Sequence, residues 1–144
     1  MSTLDDYLIT TDARRLDVDA VHAYLTQSYW SPGIPRATVE RAMANSICFG
    51  VMKGGEQVGF ARVVTDRATF AYLADVYILE PHRGKGLAKA LMKAIIAHPD
   101  LQGLRRFTLA TRDAHALYKQ FGFTELSKPG NMMEIHNPDA YRTA

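Results

Sequence analysis

A single cysteine, Cys48, stands among the 144 residues, so no intramolecular disulfide can form. Sparse cysteine of this kind fits a reducing compartment. No uninterrupted apolar run approaches the roughly 18 residues that a membrane helix needs. The stretch Met1 to Asp6 is polar and acidic, unlike a signal peptide with its basic start and apolar core. The expectation is a cytoplasmic protein with no membrane partner. Charge of one sign is also lacking: the formal net charge is +2. Basic residues are scattered, apart from Arg83 with Lys85 and the pair Arg105–Arg106, so no nucleic-acid partner is expected. No cluster of His, Cys, Asp and Glu has ligand spacing, so no metal is expected. Internal repeats, low-complexity stretches and linkers are missing too, which predicts one domain over residues 1–144.

Hydrophobic residues make up 47% of the chain and charged residues 22%, ordinary values for a globular protein. Tyr7 to Thr11 reads as a first strand. Asp17 or Asp19 caps a helix reaching about Ser28, with Val18, Val21, Tyr24 and Leu25 on its inner face. Ser31-Pro32-Gly33-Ile34-Pro35 breaks it, and Thr38 to Asn45 reads as a second short helix. Ile47 to Lys53 and Gln57 to Thr65 are β-rich and flank the tight-turn signal Gly54-Gly55. After Asp66-Arg67, Thr69 to Leu79 completes a three-strand meander. Helical spacing returns over Gly86 to Ala97 and ends at His98-Pro99. Leu104 to Ala110 is a strand. Asp113 to Gln120 is a short helix with Asp113 as its N-cap. Phe123 to Leu126 and Met132 to His136 read as two last strands that pair. The order predicts an α/β fold: a mixed sheet flanked by helices. The strand–helix–strand run from Tyr72 to Ala110 predicts two parallel strands.

The most informative segment runs from Asp75 through Val76-Tyr77-Ile78 to Arg83-Gly84-Lys85-Gly86-Leu87-Ala88. A strand enters a basic, glycine-rich turn that opens a helix. The first helical turn leaves backbone N–H groups without partners, at the positive end of the helix dipole. Glycines let a polyanion come close to the backbone, and Arg83 and Lys85 add charge. On the residues alone this is either a pyrophosphate site or an ordinary βα loop. The spacing fits neither a Walker phosphate loop nor the dinucleotide glycine pattern, because Lys89 stands where the latter needs its third glycine.

Arg83-Gly84-Lys85-Gly86-Leu87-Ala88 resembles the Arg/Gln-x-x-Gly-x-Gly/Ala signature of the GNAT superfamily of N-acetyltransferases. Downstream, Ala114-His115-Ala116-Leu117-Tyr118-Lys119-Gln120-Phe121-Gly122-Phe123 resembles the family's second motif, Ala-x-x-Leu-Tyr-x-x-x-Gly-Phe. The two stand in the family's order, and the likeness covers Ile47 to Phe123. It implies the GNAT fold and acetyl-coenzyme A as co-substrate. Its pyrophosphate would lie on residues 83 to 88, and its pantetheine arm along the main chain of Val76, Tyr77 and Ile78. It also implies that Tyr118 is the general acid that protonates the departing sulfur. A phenol is neutral at pH 7 and can donate to a developing thiolate, though without the motif the residue reads first as an amphipathic tyrosine packing helix against sheet. Many members carry asparagine where this chain has Thr111, which bears on one coenzyme contact. His115 reads as a surface or core-facing histidine.

The acceptor amine must lose a proton. Asp75 aligns with the acidic residue that often serves in the family, and an aspartate inside an apolar strand is costly unless paired or hydrated. The alternative is a carboxylate bonded to a nearby amide or to Arg62. Asp66 in its turn needs no further explanation. The loop between the first two helices holds Tyr29 and Trp30, which either wall an acceptor pocket or fold onto the core. Phe60, Arg62 and Tyr72 could face the same cleft, and Arg36 or Arg62 could hold a substrate carboxylate. Cys48 reads as core. The expected activity is acetyl transfer to a primary amine, on a small molecule or a protein, directly in a ternary complex. The amide of Ile78 or a neighbour would polarise the carbonyl. The rival reading is a non-catalytic module that senses acyl-coenzyme A. Family members often form homodimers, but nothing in the sequence locates an interface.

Overall fold

The computed structural model describes residues 4–142. Five strands form one sheet: β1 (Tyr7–Thr10), β2 (Ile47–Lys53), β3 (Glu56–Thr65), β4 (Phe70–Ile78) and β5 (Arg106–Leu109). They lie side by side in chain order. Neighbours are antiparallel as far as β4, and β4 and β5 run parallel, as the strand–helix–strand run predicts. Gly54, at φ 60°, makes the β2–β3 turn.

Four helices flank the sheet: α1 (Val18–Leu25), α2 (Arg36–Ala44), α3 (Leu87–Ala97) and α4 (His115–Lys119). The side chain of Asp17 caps α1 by accepting the Ala20 N–H at 3.0 Å. The helix stops at Leu25, short of Ser28. There the Ser28 hydroxyl donates to the Leu25 carbonyl at 2.7 Å, and the Gly33 N–H reaches back to Thr26. Those bonds give the loop its own closure in place of another helical turn.

Alternation along β2 divides the core. Ile47, Phe49 and Val51 point to the α3 face, where Leu91, Met92 and Ile95 complete a buried cluster that also takes in Tyr118. Cys48 points the other way, into a second cluster of Val21, Leu25, Val39, Phe60 and Tyr77 beneath α1 and α2. Gly59 lies between strands where a Cβ would stand 2.7 Å from the Ile78 side chain, so no larger residue fits without displacement.

Two expectations are corrected. The N-cap position of α4 is Ala114, not Asp113, and the Ala114 N–H is accepted by Thr111 Oγ1 at 3.1 Å. Residues 123–126 and 132–136 form no strands. Every hydrogen bond made by residues 124–142 is to another residue of that segment, so neither stretch pairs with the other or with the sheet.

Candidate active site

Across β3 and β4, Arg62 faces Ala74 and Phe60 faces Tyr77. Asp75 and Val76 of β4 therefore stand against Ala61 alone, which is a β-bulge. Asp75 makes the turn, at φ 57°. Left-handed backbone costs a non-glycine residue about 1 kcal/mol or more. The bulge bends β4 away from β5, whose pairing runs only from Phe70↔Arg106 to Leu73↔Leu109. Beyond that point the strands part and a cleft of about 940 Å³ opens. Its floor is β4, and the α1–α2 loop and the β5–α4 loop are its walls.

The bulge aims Asp75 at this cleft, and both carboxylate oxygens are held. Arg62 Nε donates to Oδ2 at 2.7 Å, and Trp30 Nε1 donates to Oδ1 at 3.0 Å. The two charged side chains are 20% and 10% exposed, and Arg62 also donates to the Ser46 hydroxyl. The Arg62 alternative for Asp75 is thus present, and Arg62 is part of the interior rather than a surface residue. Tyr29 and Trp30 wall the cleft instead of folding onto the core, at 53% and 39% exposure. Tyr29 lies under the Arg112 guanidinium, 3.8 Å from ring centre to carbon, a cation–π contact that ties the two walls together. Tyr72 and Thr111 line the same space. Arg36 does not: it pairs with Asp19 and Glu40 on the outside of α1 and α2.

Tyr118 is buried, yet its ring borders the cleft, and its hydroxyl makes no hydrogen bond among the described residues. Burial raises its pKa above the ordinary phenol value, with Tyr29 and Asp113 nearby adding to the effect. The side chain of Tyr77 is buried and stacks on Tyr24 with ring centres 3.9 Å apart. Only its main chain can serve a ligand. His115 is exposed. Cys48 is buried, and desolvation pushes its thiol up to about 11, so it stays protonated and unreactive. Asp66 accepts from the Thr69 hydroxyl and from the amides of Thr69, Ala68 and Phe70, which together hold its carboxyl far below the usual range. Its part is to shape the turn.

The glycine-rich turn follows β4 directly. The Leu79 N–H donates to Val58 of β3 at 2.8 Å, while the Ile78 carbonyl faces the other way and accepts from Arg83 Nε at 2.8 Å. Arg83 is therefore folded back onto β4, within 3.4 Å of the Tyr24 hydroxyl, and braces the turn. Gly84 and Gly86 sit at φ 77° and 85°, and a Cβ on either would meet nothing within 4 Å. Gly86 caps α3 without a side chain, so the first amides of that helix have no side-chain acceptor. A recess of about 250 Å³ over Gly84, Gly86, Leu87 and Ala88 adjoins the cleft, sharing Ile78, Arg83, Ala88 and Leu117 with it. Lys85 is exposed beside it. Open glycines, uncapped amides and parted strands suit a long ligand with a polyanionic end.

Three cleft residues escaped the sequence reading. Tyr24 shows only as an apolar-face residue at helical spacing. Arg112 gives no signal, because its partner Tyr29 is remote in sequence. Tyr141 comes back to α1 and α2 from the chain's far end.

Comparison with known proteins agrees with this geometry. The model of the Acetyltransferase (GNAT) family matches residues 14–123. A Gibberella zeae protein provisionally named an acetyltransferase is 37% identical over 85% of this chain and 82% of its own length. A crystal structure from Xanthomonas campestris pv. campestris, provisionally assigned to the GNAT family, is 52% identical. It superposes with a TM-score of 0.92 over 95% of this chain and 97% of that one. A predicted acetyltransferase of Clostridium acetobutylicum, solved with acetyl-CoA, shares the fold at 13% identity and TM-score 0.65, over 90% of this chain and 94% of its own.

Proposed function

This chain belongs to the GNAT acetyltransferase family, and from that premise we propose that it transfers an acetyl group from acetyl-coenzyme A to an amine while both are bound. The observation that carries the reading is a pair of neighbouring spaces with common walls. A cleft lined by Asp75 and Tyr118 shares Ile78, Arg83, Ala88 and Leu117 with a recess at the uncapped start of α3. Acetyl-coenzyme A, with a pyrophosphate at one end and a thioester at the other, matches that layout. The amides of Leu87 and Ala88, the open glycines 84 and 86, and Lys85 would take the pyrophosphate. The main chain of residues 76–78 would accompany the pantetheine arm, and Thr111 would border it.

In the transfer, the amine lone pair forms the N–C bond as the C–S bond breaks. One proton leaves the nitrogen and one reaches the sulfur. Tyr118 is the donor to sulfur. A phenol with a raised pKa is a weaker acid than a thiol, whose ordinary value is about 8.5. Its effect therefore comes from a hydrogen bond that strengthens as charge grows on sulfur, with the proton following as the thiol forms. Asp75 is the half-buried carboxylate placed to receive the amine proton, directly or through water. Each of its oxygens holds one hydrogen bond and keeps a lone pair free. Tyr29, Trp30, Arg62 and Tyr72 form the acceptor side. An N–H of residues 76–78 would polarise the acetyl carbonyl.

The test is calorimetric titration with acetyl-coenzyme A, followed by thiol release with a panel of amines. The comparison is Lys85→Glu with Lys89→Glu, exposed changes that put acid at the start of α3, where the helix tolerates it. Micromolar binding, weakened at least tenfold in the variant at unchanged Tm, supports the reading. Binding with no turnover on any amine would favour an acyl-coenzyme A sensor, and no binding would overturn both.

A further inference from the structure

Among the described residues, three arginines line the acceptor cleft: Arg62, Arg83 and Arg112. Two are already engaged. Arg62 is paired with Asp75, and Arg83 donates to the Ile78 carbonyl. Arg112 has neither kind of partner. Its guanidinium carbon stands over the Tyr29 ring, and no carboxylate or carbonyl accepts from it among the described residues. Asp113 follows it in the chain and lines the same cleft, yet the two form no ion pair. An aromatic face attracts the charge but takes none of the N–H groups in a conventional bond. Five donors in a rigid planar fork therefore remain, a shape that matches the two oxygens of a carboxylate.

The position of that fork is set from both walls. Arg112 leaves the loop after β5 and meets Tyr29 on the α1–α2 loop. Tyr29 lies edge to face with Trp30, ring centres 5.0 Å apart, and Trp30 donates to Asp75. One wall thus leads from the guanidinium to the carboxylate placed to receive the amine proton. Between them the surface is aromatic. Tyr29, Trp30 and Tyr72 all line the cleft and keep open ring surface. The two arginines that the sequence suggested for a substrate carboxylate are committed elsewhere, Arg36 to Asp19 and Glu40, and Arg62 to Asp75.

Resting on the acetyl-transfer reading above, we propose that the acceptor is an amino acid. Its amine lies at Asp75, its carboxylate on Arg112, and its apolar body against Tyr29, Trp30 and Tyr72. Arg112 is then the residue that sets specificity. An amine without a carboxylate leaves the fork unanswered, and a site built for a polar group discriminates against the analogue that lacks it.

The probes are phenylalanine, leucine and aminohexanoate, each beside its amide and beside the amine lacking the carboxyl group. With acetyl-coenzyme A, kcat/KM from thiol release should favour at least one acid over both its neutral analogues by tenfold or more. Arg112→Gln should cut that ratio at least tenfold, and Arg112→Lys should keep part of it. Equal turnover of acid and amide would overturn the proposal and leave acetyl transfer standing, as would a ratio unmoved in Arg112→Gln. No thiol release on any amine would instead overturn the transfer reading. The carboxylate site is then decided by calorimetric titration of the same acids and amides into the chain saturated with coenzyme A, where no transfer can occur. Acid binding that Arg112→Gln abolishes supports the site, and acid and amide bound alike, or neither bound, overturns it.

Discussion

At the scale of single residues, the cleft rests on groups whose neighbours fix what they can do. The Tyr118 hydroxyl has no hydrogen-bond partner to lose among the described residues. Tyr118→Phe should therefore leave Tm nearly unchanged while lowering kcat roughly 10²-fold or more, with little change in coenzyme affinity. Steady-state kinetics beside a melting curve checks this, and unchanged turnover would end the acid assignment. Asp75→Ala should be costly to the fold. It leaves the Arg62 charge half-buried without its partner and keeps a left-handed backbone under a Cβ. A loss of about 2–4 kcal/mol follows, readable by urea unfolding. Asp75→Asn, which tolerates that backbone and still accepts from Trp30, should recover part of the loss but not the turnover. The buried thiol gives a pH signature. Cys48 holds its proton up to about 11 when folded, against a reference value of 9.0. The unfolded chain thus releases it first. This contribution to stability is complete below pH 9 and falls away as pH rises toward 11, by on the order of 2 kcal/mol. Burial raises Tyr77 and Tyr118 in the same direction. Cys48→Val should flatten the part of the alkaline limb that begins near pH 9, and an identical slope would contradict the assignment.

At the scale of elements, the start of α3 and the β4 bulge do different work. Gly86 is needed for its backbone: at φ 85° a Cβ costs about 1–2 kcal/mol. Its side is open, so that strain is the only penalty in the free protein. Gly86→Ala should therefore lower Tm modestly, and it should weaken coenzyme binding more than Gly86→Asn, which accepts the same backbone at a lower cost. Calorimetry on both separates conformation from crowding. The elements themselves were legible to different degrees. The meander, α3 and the parallel β4–β5 pair follow from apolar periodicity and turn residues, which act locally. The bulge was not legible, because it depends on how β3 and β4 slide past one another. Asp75 in an apolar strand was the only hint of it. The last two strands had the right pattern and no partner, since a strand is a statement about two segments and the pattern describes one.

At the scale of the molecule, ligand and fold are linked. If acetyl-coenzyme A binds only the folded chain, a concentration 100-fold above Kd adds about 2.7 kcal/mol. For a chain of this size that is a rise in Tm of several degrees. Coenzyme A lacking the acetyl group should give most of the same rise, because the proposed polyanion contacts do not involve the acetyl group. Scanning fluorimetry would show it, and no shift with either ligand would count against the proposed site.

The sequence by itself determined the helices, the meander, the family and the glycine-rich turn, since each is written in contiguous residues whose backbone needs are local. It also singled out Asp75, Tyr118, Tyr29, Trp30, Arg62 and Tyr72 as residues worth placing. Only the tertiary structure decided that these six share one cleft, that Arg83 folds back onto the Ile78 carbonyl, and that Arg112 and Tyr141 join the walls. Those facts depend on segments far apart in the chain meeting in space, and on the bulge that parts β4 from β5.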